Sequence, residues 1–409
     1  MTLFEAIKRI RAQKILLLGL FLLASPMLII LGTIIYCFFP SLRFGNLVSS
    51  RIGHLAMDVD AAIQRIERRQ STRKLMLILV ADTVVCNEYL LSLWGSVNTA
   101  SVKVKISKSR WLRLFTKFLK HSRVFSSLHV SVYSNSKFWA AAIRAKSLLI
   151  PKPIDYKIFE SWSRDHKLNL NRPYILLHNR DNSYLGEKFR YHDFRDFSPN
   201  IFQPIIEKYK DRYFFVRLGR VSNESLMPKS ECFIDLPFER HDDLIDMLIR
   251  RNALFHFGAD SGGSTSTLLW RRPLAGINYA PNTYGLFREY DCYSLGIIPK
   301  KIVDSRSGKP VGLIEMYERK LHYLSSQSEF ESAGVEVISN SSGEVQSFFA
   351  ECLRKIECAP DPIEASALQE EFWRIVSFYE SRSPTSEVVP LNCRIGESFL
   401  VSNRYLVER

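Results

Sequence analysis

The chain of 409 residues is 46% hydrophobic and 24% charged, which excludes a disordered or fibrous polypeptide and allows two globular domains. Its net charge of +14 lies in the first part, since residues 1–170 hold 26 of the 56 Lys and Arg residues but 9 of the 42 Asp and Glu residues. Because no recognisable nucleic-acid-binding module accompanies this basic surplus, nucleic acid is not the expected partner.

A basic flank, residues 1–14, precedes an apolar run at residues 15–39 that contains no charged residue. As a helix this run can cross roughly 30 Å of hydrocarbon, and it is too long for a cleavable signal peptide, so it predicts a retained membrane anchor. Both flanks are basic and Ser25-Pro26 interrupts the middle. Two arrangements therefore stay open: a spanning helix kinked at the proline, or a re-entrant hairpin.

The seven cysteines are odd in number and form no CxxC pair, so the sequence predicts neither a disulfide framework nor a zinc site. Unpaired thiols favour domains that face a reducing cytosol. A lumenal orientation is the alternative, because the triplets at Asn223 and Asn340 fit the N-glycosylation pattern.

After the anchor, residues 45–165 are expected to form an amino-terminal α/β domain. The sequence predicts a short strand at residues 45–49, a loop at 51–55 that opens a helix, and a strand buried on both faces at 74–81, KLMLILVA. Strand, helix and strand in this order make a βαβ unit, the building block of a parallel sheet.

Residues 102–123 contain eight Lys and Arg residues together with apolar side chains at helical spacing: Trp111, Leu114, Phe115 and Phe118. On a helix this spacing gives one apolar face with cationic flanks, which is typical of a segment that lies on an anionic membrane surface. A core helix with a solvated basic side fits the same pattern. The sequence leaves both interpretations open.

Pro151 and Pro153 mark the boundary to a second domain, residues 166–360, which is followed by a helix and tail at 361–409. Buried strands are predicted at residues 173–178, 213–218, 232–236, 254–258 and 274–278, with helices at 200–211, 241–252 and 264–272. The alternation predicts a doubly wound parallel sheet. The expected fold class is α/β, with two Rossmann-like domains behind an amino-terminal membrane segment.

The strand at 254–258 runs into a polar, glycine-rich turn whose members are Asp260, Ser261, Gly262, Gly263, Ser264 and Thr265. Glycines allow close backbone approach and the amides of a helix amino terminus attract phosphate, so this turn is a candidate diphosphate cradle. It matches neither GxxxxGK(S/T) nor GxGxxG, which argues against ATP hydrolysis and hydride transfer. A strand-to-helix connection with a capping hydroxyl is the alternative.

A second polar cluster follows the strand at 173–178. Arg180 is expected to bind a phosphate bidentately, and Asp181 to orient it or to accept a proton. Arg217 and Gly219, at the end of the next strand, are expected to converge on the same crevice. Surface salt bridges are the alternative for each of these charges.

In the first domain, Gly53 and His54 occupy the predicted strand-to-helix turn that faces the interdomain cleft. Histidine exchanges protons near neutral pH, so His54 is the first candidate for a general base, followed by Asp58 and Asp181. A histidine that only starts a helix is the alternative. Asp58 and Asp60 form a DxD triplet within a predicted helix, so both are expected to be solvated or to line the cleft, and no metal site is predicted.

Five segments resemble a known family in their order and spacing: RIGHLAMDVDAAI (51–63), YILLHNRDNSYL (174–185), RYHDFRD (190–196), DDLIDMLIRRNALFHFGADSGGSTSTLLWRRPLAGIN (242–278) and LGIIPKKI (295–302). The family comprises bacterial glycosyltransferases of surface saccharide synthesis, and the resemblance extends from about Gly45 to the carboxyl terminus. It implies a GT-B-like arrangement, a nucleotide-sugar donor and a lipid-linked glycan acceptor. Together with the unpaired cysteines, this leads us to expect catalytic domains at the cytoplasmic face of a bacterial inner membrane. The family shows a simpler hydroxyl–glycine pattern where this chain has ADSGG (259–263).

These expectations combine into one mechanism. The second domain is expected to bind the donor diphosphate through residues 260–265, Arg180 and Arg217, without a metal or another cofactor. The first domain, held on an anionic membrane surface, presents a membrane-associated glycan, and closure of the cleft aligns the two. The alternative function is a non-catalytic, membrane-anchored adaptor that binds a sugar or a nucleotide.

Overall fold

The computed structural model describes residues 26–69, 73–133, 136–183, 187–226, 230–280, 293–358, 366–381 and 394–408. Within these ranges the strands form two parallel sheets and one antiparallel pair, with helices packed around them. The predicted α/β class with parallel sheets is confirmed.

The first lobe contains a parallel sheet in the order β1–β2–β3, whose strands are β1 (Leu42–Asn46), β2 (Leu75–Val80) and β3 (Val102–Ser107). On the other side of β1, His129 pairs in parallel with Phe44, so the strand order reverses beside β1. The helical segments are α1 (26–38), a wide turn at His54–Asp58, α2 (Val59–Arg68), α3 (Glu88–Ser96), α4 (Arg110–His121), the short turn Ser126–Leu128 and α5 (Ser136–Ile143).

The second lobe contains six parallel strands in the order β6–β5–β4–β7–β8–β9. They are β4 (Tyr174–His178), β5 (Phe214–Arg217), β6 (Phe233–Asp235), β7 (His256–Gly258), β8 (Leu274–Tyr279) and β9 (Ser294–Pro299). Counted from β4, this is the order 3-2-1-4-5-6 of doubly wound folds, with its topological switch point between β4 and β7. The helical segments are α6 (Pro153–Asp165), Glu187–Arg195, Pro199–Phe202, α7 (Gln203–Tyr209), Leu236–Phe238, α8 (Asp243–Asn252) and α9 (Gly262–Leu268).

The carboxyl-terminal part packs on the second lobe. It contains the antiparallel pair β10 (Lys301–Asp304) and β11 (Val335–Ile338), and Ile395 pairs in parallel with Ile297 of β9. Its helices are α10 (Leu313–Glu318), α11 (Gln327–Ser332), α12 (Ser342–Glu357), α13 (Ala367–Ser381) and α14 (Glu397–Ser402), with short turns at Leu321–Tyr323 and Arg404–Leu406.

Local sequence explains the elements that frame the crevice between the lobes. Strand β5 is buried along its whole length because helices cover both faces of the sheet. Helix α8 begins where the Asp242 carboxylate accepts a hydrogen bond of 2.9 Å from the Ile245 amide, and α9 begins at Ser261 in the same way. Capping residues therefore fix where the helices beside the crevice start.

Two expected boundaries are corrected. Residues 102–107 form strand β3 rather than helix, because Val102 and Val104 alternate with exposed lysines and give a period of two. Helix α6, assigned to the first domain by the boundary at residue 165, belongs to the second lobe. Its Phe159 is buried in one core with Leu176 of β4 and Ile245 of α8.

Helix α1 covers the second half of the predicted anchor, and residues 15–25 lie outside the described ranges. Its inner side packs Leu28 and Ile35 against Phe115 and Leu119 of α4. Among the helices that the structure describes, none has both the length and the apolar character needed to cross a bilayer.

Candidate functional site

The candidate site lies where the two lobes meet, at the carboxyl ends of both parallel sheets. In the second lobe, the segments that follow β4 and β7 border the crevice at the switch point. In the first lobe, the chain that leaves β1 reaches Gly53. The backbones of Gly53 and Gly262 touch, since a Cβ atom on Gly262 would lie 2.9 Å from the nitrogen of Gly53. Glycine at both positions lets the two helix starts meet without a side chain between them.

His54 and Asp58 form a hydrogen-bonded pair on the first lobe's side. Nδ1 of His54 lies 2.9 Å from Oδ2 of Asp58, one turn later. Asp58 is buried, and its Oδ1 accepts a hydrogen bond of 2.8 Å from the indole N–H of Trp139. Tyr133 stacks on the imidazole, with ring centroids 5.8 Å apart. The carboxylate accepts a hydrogen bond from Nδ1–H, which keeps the proton on Nδ1. Nε2 therefore carries the ring's lone pair and can accept a proton.

Ser261 connects the two strands of the switch point. Its hydroxyl lies 2.7 Å from Nε2 of His178 at the end of β4, and its oxygen accepts hydrogen bonds from the amides of Gly263 and Ser264. Nδ1 of His178 lies 3.3 Å from the carbonyl oxygen of Leu218. Because a carbonyl only accepts, Nδ1 carries the proton and Nε2 accepts from Ser261. Burial lowers the pKa of His178 to about 4, which keeps the ring neutral.

The other hydroxyls near the start of α9 point to the protein. Ser264 donates to the carbonyl oxygen of Ala259, and Thr265 donates to that of Gly262 at 3.0 Å. Nε2 of His256 lies 3.1 Å from the Ser264 hydroxyl, and burial holds the pKa of His256 far below its ordinary value. The glycine-rich turn therefore caps its own helix, and its contact with a donor stays a prediction.

Cationic side chains border the crevice on the second lobe. Nη2 of Arg195 lies 2.8 Å from Oδ2 of Asp260 and donates to the Asp260 carbonyl oxygen at 2.6 Å. Nη1 of Arg180 lies 3.3 Å from Oδ1 of Asp196. Burial and the charge of Arg195 lower the pKa of Arg180, so the two guanidiniums are close enough to repel each other. Two neighbouring arginines held in place by carboxylates are candidates to bind an oxyanion through their remaining N–H groups.

Lys300 extends this cationic cluster (Arg180, Arg195 and Lys300) from the end of β9. Its Nζ donates to the carbonyl oxygen of Asp196 at 2.8 Å, and the residue is 4% exposed. Burial, together with the charge of Arg180, lowers the pKa of Lys300 to about 8. Burial raises the pKa of the Asp196 carboxyl to about 6. Because the pKa of Lys300 lies above 7, its ammonium group is mostly charged at neutral pH.

The first lobe also brings positive charge towards the cluster. Burial and the charges of Arg195, Arg180 and Arg51 lower the pKa of His192, which places Arg51 within electrostatic reach. The crevice thus has the His54–Asp58 pair on one wall and the cationic cluster on the other. This combination suits a reaction in which a hydroxyl loses its proton while a phosphate-bearing group departs.

No protein-family profile and no curated protein matches the sequence. Among solved structures, a family 9 glycosyltransferase from Veillonella parvula DSM 2008 superposes at 10% identity over 77% of this chain and 98% of its own, with a TM-score of 0.43. E. coli ADP-heptose LPS heptosyltransferase II shares 14% identity over 59% and 85% of the two chains, with a TM-score of 0.37. The iron-containing dodecameric glycosyltransferase TibC from enterotoxigenic E. coli H10407 shares 13% identity over 59% of each chain, with a TM-score of 0.30.

Arg217 does not open onto the crevice. Its side chain is fully buried, and Nε and Nη2 donate to the Asp235 carboxylate at 2.6 and 3.0 Å. The other N–H groups donate to the side chains of Asn179 and Ser222 and to the carbonyl oxygen of Glu224. All five guanidinium N–H groups have protein acceptors, which corrects the prediction that Arg217 binds the donor.

Asp181 lies at the end of β4, as predicted, but its oxygens accept protein hydrogen bonds. The Ser222 hydroxyl donates at 2.6 Å and the Asn223 amide at 3.1 Å. Burial opposes ionisation, yet these bonds and those from Ser183 hold the pKa of Asp181 below its usual range. A carboxylate stabilised in its charged form is a weak base, so His54 is the stronger candidate.

The DxD aspartates are buried, so the first of the two expected alternatives, that they are solvated, is wrong. Asp58 is 2% exposed, and Asp60 is fully buried, with its Oδ2 2.8 Å from Nη2 of Arg271. Burial raises the pKa of Asp60 to about 6, and Arg271 opposes the shift. Within the described ranges no cluster of His, Cys, Asp and Glu is arranged to hold a metal ion.

Gly219 packs against Pro237, where a Cβ atom would lie 2.8 Å from the ring, so its role is steric.

Two residues of the site were not predicted. Arg195 lies within RYHDFRD and Lys300 within LGIIPKKI, but neither stood out as a binding residue in the sequence. The usable signal for Lys300 was its position directly after a buried strand, where side chains reach the ligand-binding edge of a parallel sheet. For Arg195 the deciding contact, with Asp260, joins segments 65 residues apart.

Proposed function

We propose that this protein is a glycosyltransferase that moves a sugar from a nucleotide-sugar donor onto an acceptor hydroxyl. The observation that carries the proposal is the meeting of the His54–Asp58 pair with the switch point of the second lobe, through the contact between Gly53 and Gly262. Glycosyl transfer needs both groups in one place, because the acceptor must lose a proton while a diphosphate departs.

In the proposed reaction, Nε2 of His54 takes the proton of the acceptor hydroxyl. The acceptor oxygen forms a bond to the anomeric carbon of the sugar, and the bond from that carbon to the phosphate oxygen breaks. The nucleoside diphosphate leaves with the electron pair, and its negative charge is stabilised by Arg180, Arg195 and Lys300. Asp58 keeps the imidazole oriented and stabilises its charged form.

The acceptor is proposed to be a lipid-linked or otherwise membrane-associated glycan at the cytoplasmic face of a bacterial inner membrane, within a GT-B-like arrangement of the lobes. The resemblance to the surface-saccharide family supports this assignment. A physical feature supports it too: α1 and the residue that follows it expose several large apolar side chains, Met27, Ile29, Ile30, Ile34, Tyr36, Phe38 and Phe39. Exposed apolar patches of this kind mark protein or membrane contacts.

Helix α4, which packs on α1, adds charge to this face. Trp111 is 71% exposed, and the exposed cations of the same helix and its end are Arg110, Lys117, Lys120 and Arg123. Apolar side chains flanked by cations bind an anionic lipid surface by burial and attraction together. We propose that α1 and α4 hold the first lobe on the membrane.

A panel of nucleotide sugars, each added to the purified chain, tests the function. The correct donor is expected to raise the melting temperature, since a ligand at 100 times its Kd stabilises by about 2.7 kcal/mol. With membrane extract as acceptor, the same donor is expected to release nucleoside diphosphate and to label lipid-linked glycan. Stabilisation without turnover would instead favour the non-catalytic adaptor.

A further inference from the structure

A cavity of about 420 Å³ lies at the opposite edge of the second lobe's sheet from the candidate site. Five basic side chains line it, Arg144, Lys146, Arg251, Arg271 and Arg272, and Trp270 forms part of its wall. Among the described residues that line it, none is acidic. Lys146, Arg251 and Arg272 bring like positive charge into one concave space, and a bound anion would offset their repulsion.

The positions of these residues in the fold fix the location. Arg251 lies at the end of α8, just before β7, and Arg271 and Arg272 follow α9, just before β8. They therefore stand at the amino-terminal edge of the sheet, whereas His178 and Ser261 stand at its carboxyl edge. Lys146 follows α5 of the first lobe, so the cavity spans the junction of the two lobes.

Contacts within the cavity wall separate structural cations from those that face a ligand. Arg271 pairs with buried Asp60 at 2.8 Å and also donates to the carbonyl oxygen of Ala145 at 2.7 Å, so it joins the lobes. The Arg251 guanidinium lies 5.3 Å from the centroid of the Trp270 ring, which orients it along the wall. Asp60, the carboxylate that pairs with Arg271, does not itself line the cavity.

We propose that this cavity binds a phosphate-bearing anion through Lys146, Arg251 and Arg272, and that the anion bridges the two lobes. The same chemistry fits a soluble pyrophosphate group and the headgroup of an anionic phospholipid. The site is independent of glycosyl transfer, because none of its residues belongs to the cationic cluster at the carboxyl edge.

Calorimetric titration of the full chain with inorganic pyrophosphate, at constant ionic strength, tests the proposal. Pyrophosphate is expected to bind at the cavity and at the candidate donor site. Lys146→Gln combined with Arg272→Gln is expected to weaken pyrophosphate binding at the cavity by at least about tenfold, because each charge-assisted contact contributes that much or more. Arg195→Gln is expected to weaken pyrophosphate binding only at the candidate donor site. Arg306→Gln with Lys309→Gln, exposed on the loop after β10, is the charge-matched control.

A parallel titration with soluble dihexanoyl phosphatidic acid separates the two sources. Binding of pyrophosphate that depends on Lys146 and Arg272 identifies a soluble ligand, and dependence seen only with the phosphatidic acid identifies a lipid headgroup. Lys146→Glu alone, at an exposed position, gives the same loss if the double variant does not fold. Folded variants that bind both probes as the unmodified chain does would overturn the proposal, whether or not the protein transfers sugar.

Discussion

Nδ1 of His54 lies 2.9 Å from Oδ2 of Asp58, and the other oxygen of that carboxylate is held by Trp139. The spacing of four residues on one helix makes the contact, and the burial of Asp58 makes it directional. The pair therefore defines which ring nitrogen receives a proton, and the two residues act as one unit.

Replacing His54 with alanine removes the proposed base. General-base catalysis contributes about 10²–10⁴-fold, so kcat is expected to fall by that factor while the Kd for the donor stays the same. Asp58→Asn, which removes the charge that orients His54, is also expected to lower kcat. Tyr133→Phe, which keeps the stacked ring, serves as the control. A His54→Ala protein with unchanged kcat would contradict the assignment.

Arg195→Gln is expected to weaken binding of a nucleoside diphosphate. A hydrogen bond to a charged group contributes about 1.5–3 kcal/mol, which corresponds to a loss of roughly tenfold or more in Kd. Calorimetry of the variant and of Arg306→Gln, an exposed arginine far along the chain, makes the comparison. Equal affinities in the two variants would refute the anion site.

The charge of Lys300 predicts a pH dependence of donor binding. Its pKa is lowered to about 8, so the ammonium is present below that pH and is lost as the pH rises through it. The affinity for a nucleoside diphosphate is therefore expected to fall above about pH 8. Lys300→Arg keeps the charge and is expected to flatten this limb of the Kd profile. A profile that is identical in both proteins would exclude Lys300 from the site.

Arg217→Ala is expected to destabilise the fold rather than to change the chemistry. Removing one partner of a buried ion pair costs about 3–5 kcal/mol in the free energy of unfolding, measured with urea. Arg220→Ala breaks a half-exposed pair with Asp243 and is expected to cost about 1 kcal/mol or less. A similar loss of unfolding free energy in the two variants would show that the buried ion pair of Arg217 with Asp235 does not stabilise the fold.

Ile30→Glu combined with Trp111→Glu is expected to abolish flotation of the protein with vesicles that contain anionic phospholipid. Burying a carboxylate in an apolar interface is unfavourable, and both side chains are exposed on the proposed membrane face. Val401→Glu, an equally drastic change at an exposed position elsewhere, is the control. Flotation that persists in the double variant would indicate that another surface or segment binds the membrane.

The sequence predicted the sheet of the second lobe well because buried parallel strands are continuous apolar runs. Five of its six strands coincide with predicted segments, and the glycine-rich turn before α9 stands at the switch point. Strand β3 was missed because Trp111 and its neighbours set a helical period that was extended back over Val102–Ser107. Periodicity alone does not show where one element ends and another begins.

The site itself was less predictable, because its roles depend on contacts between distant segments. The sequence indicates both His54 and Asp58 as candidate bases, whereas the structure shows Asp58 as the hydrogen-bonding partner of His54. The charge of Arg217 at a strand end suggests a binding role, and only its burial with Asp235 shows a structural one. Charge and position select candidates, while burial and pairing decide what each candidate can do.

A crystal structure of the chain with a bound nucleoside diphosphate tests the proposed donor site most directly. We expect the diphosphate at the carboxyl ends of β4 and β7, in contact with Arg195 and Lys300 and facing Nε2 of His54 across the crevice. A diphosphate bound elsewhere, with the crevice empty at saturating ligand, would contradict it.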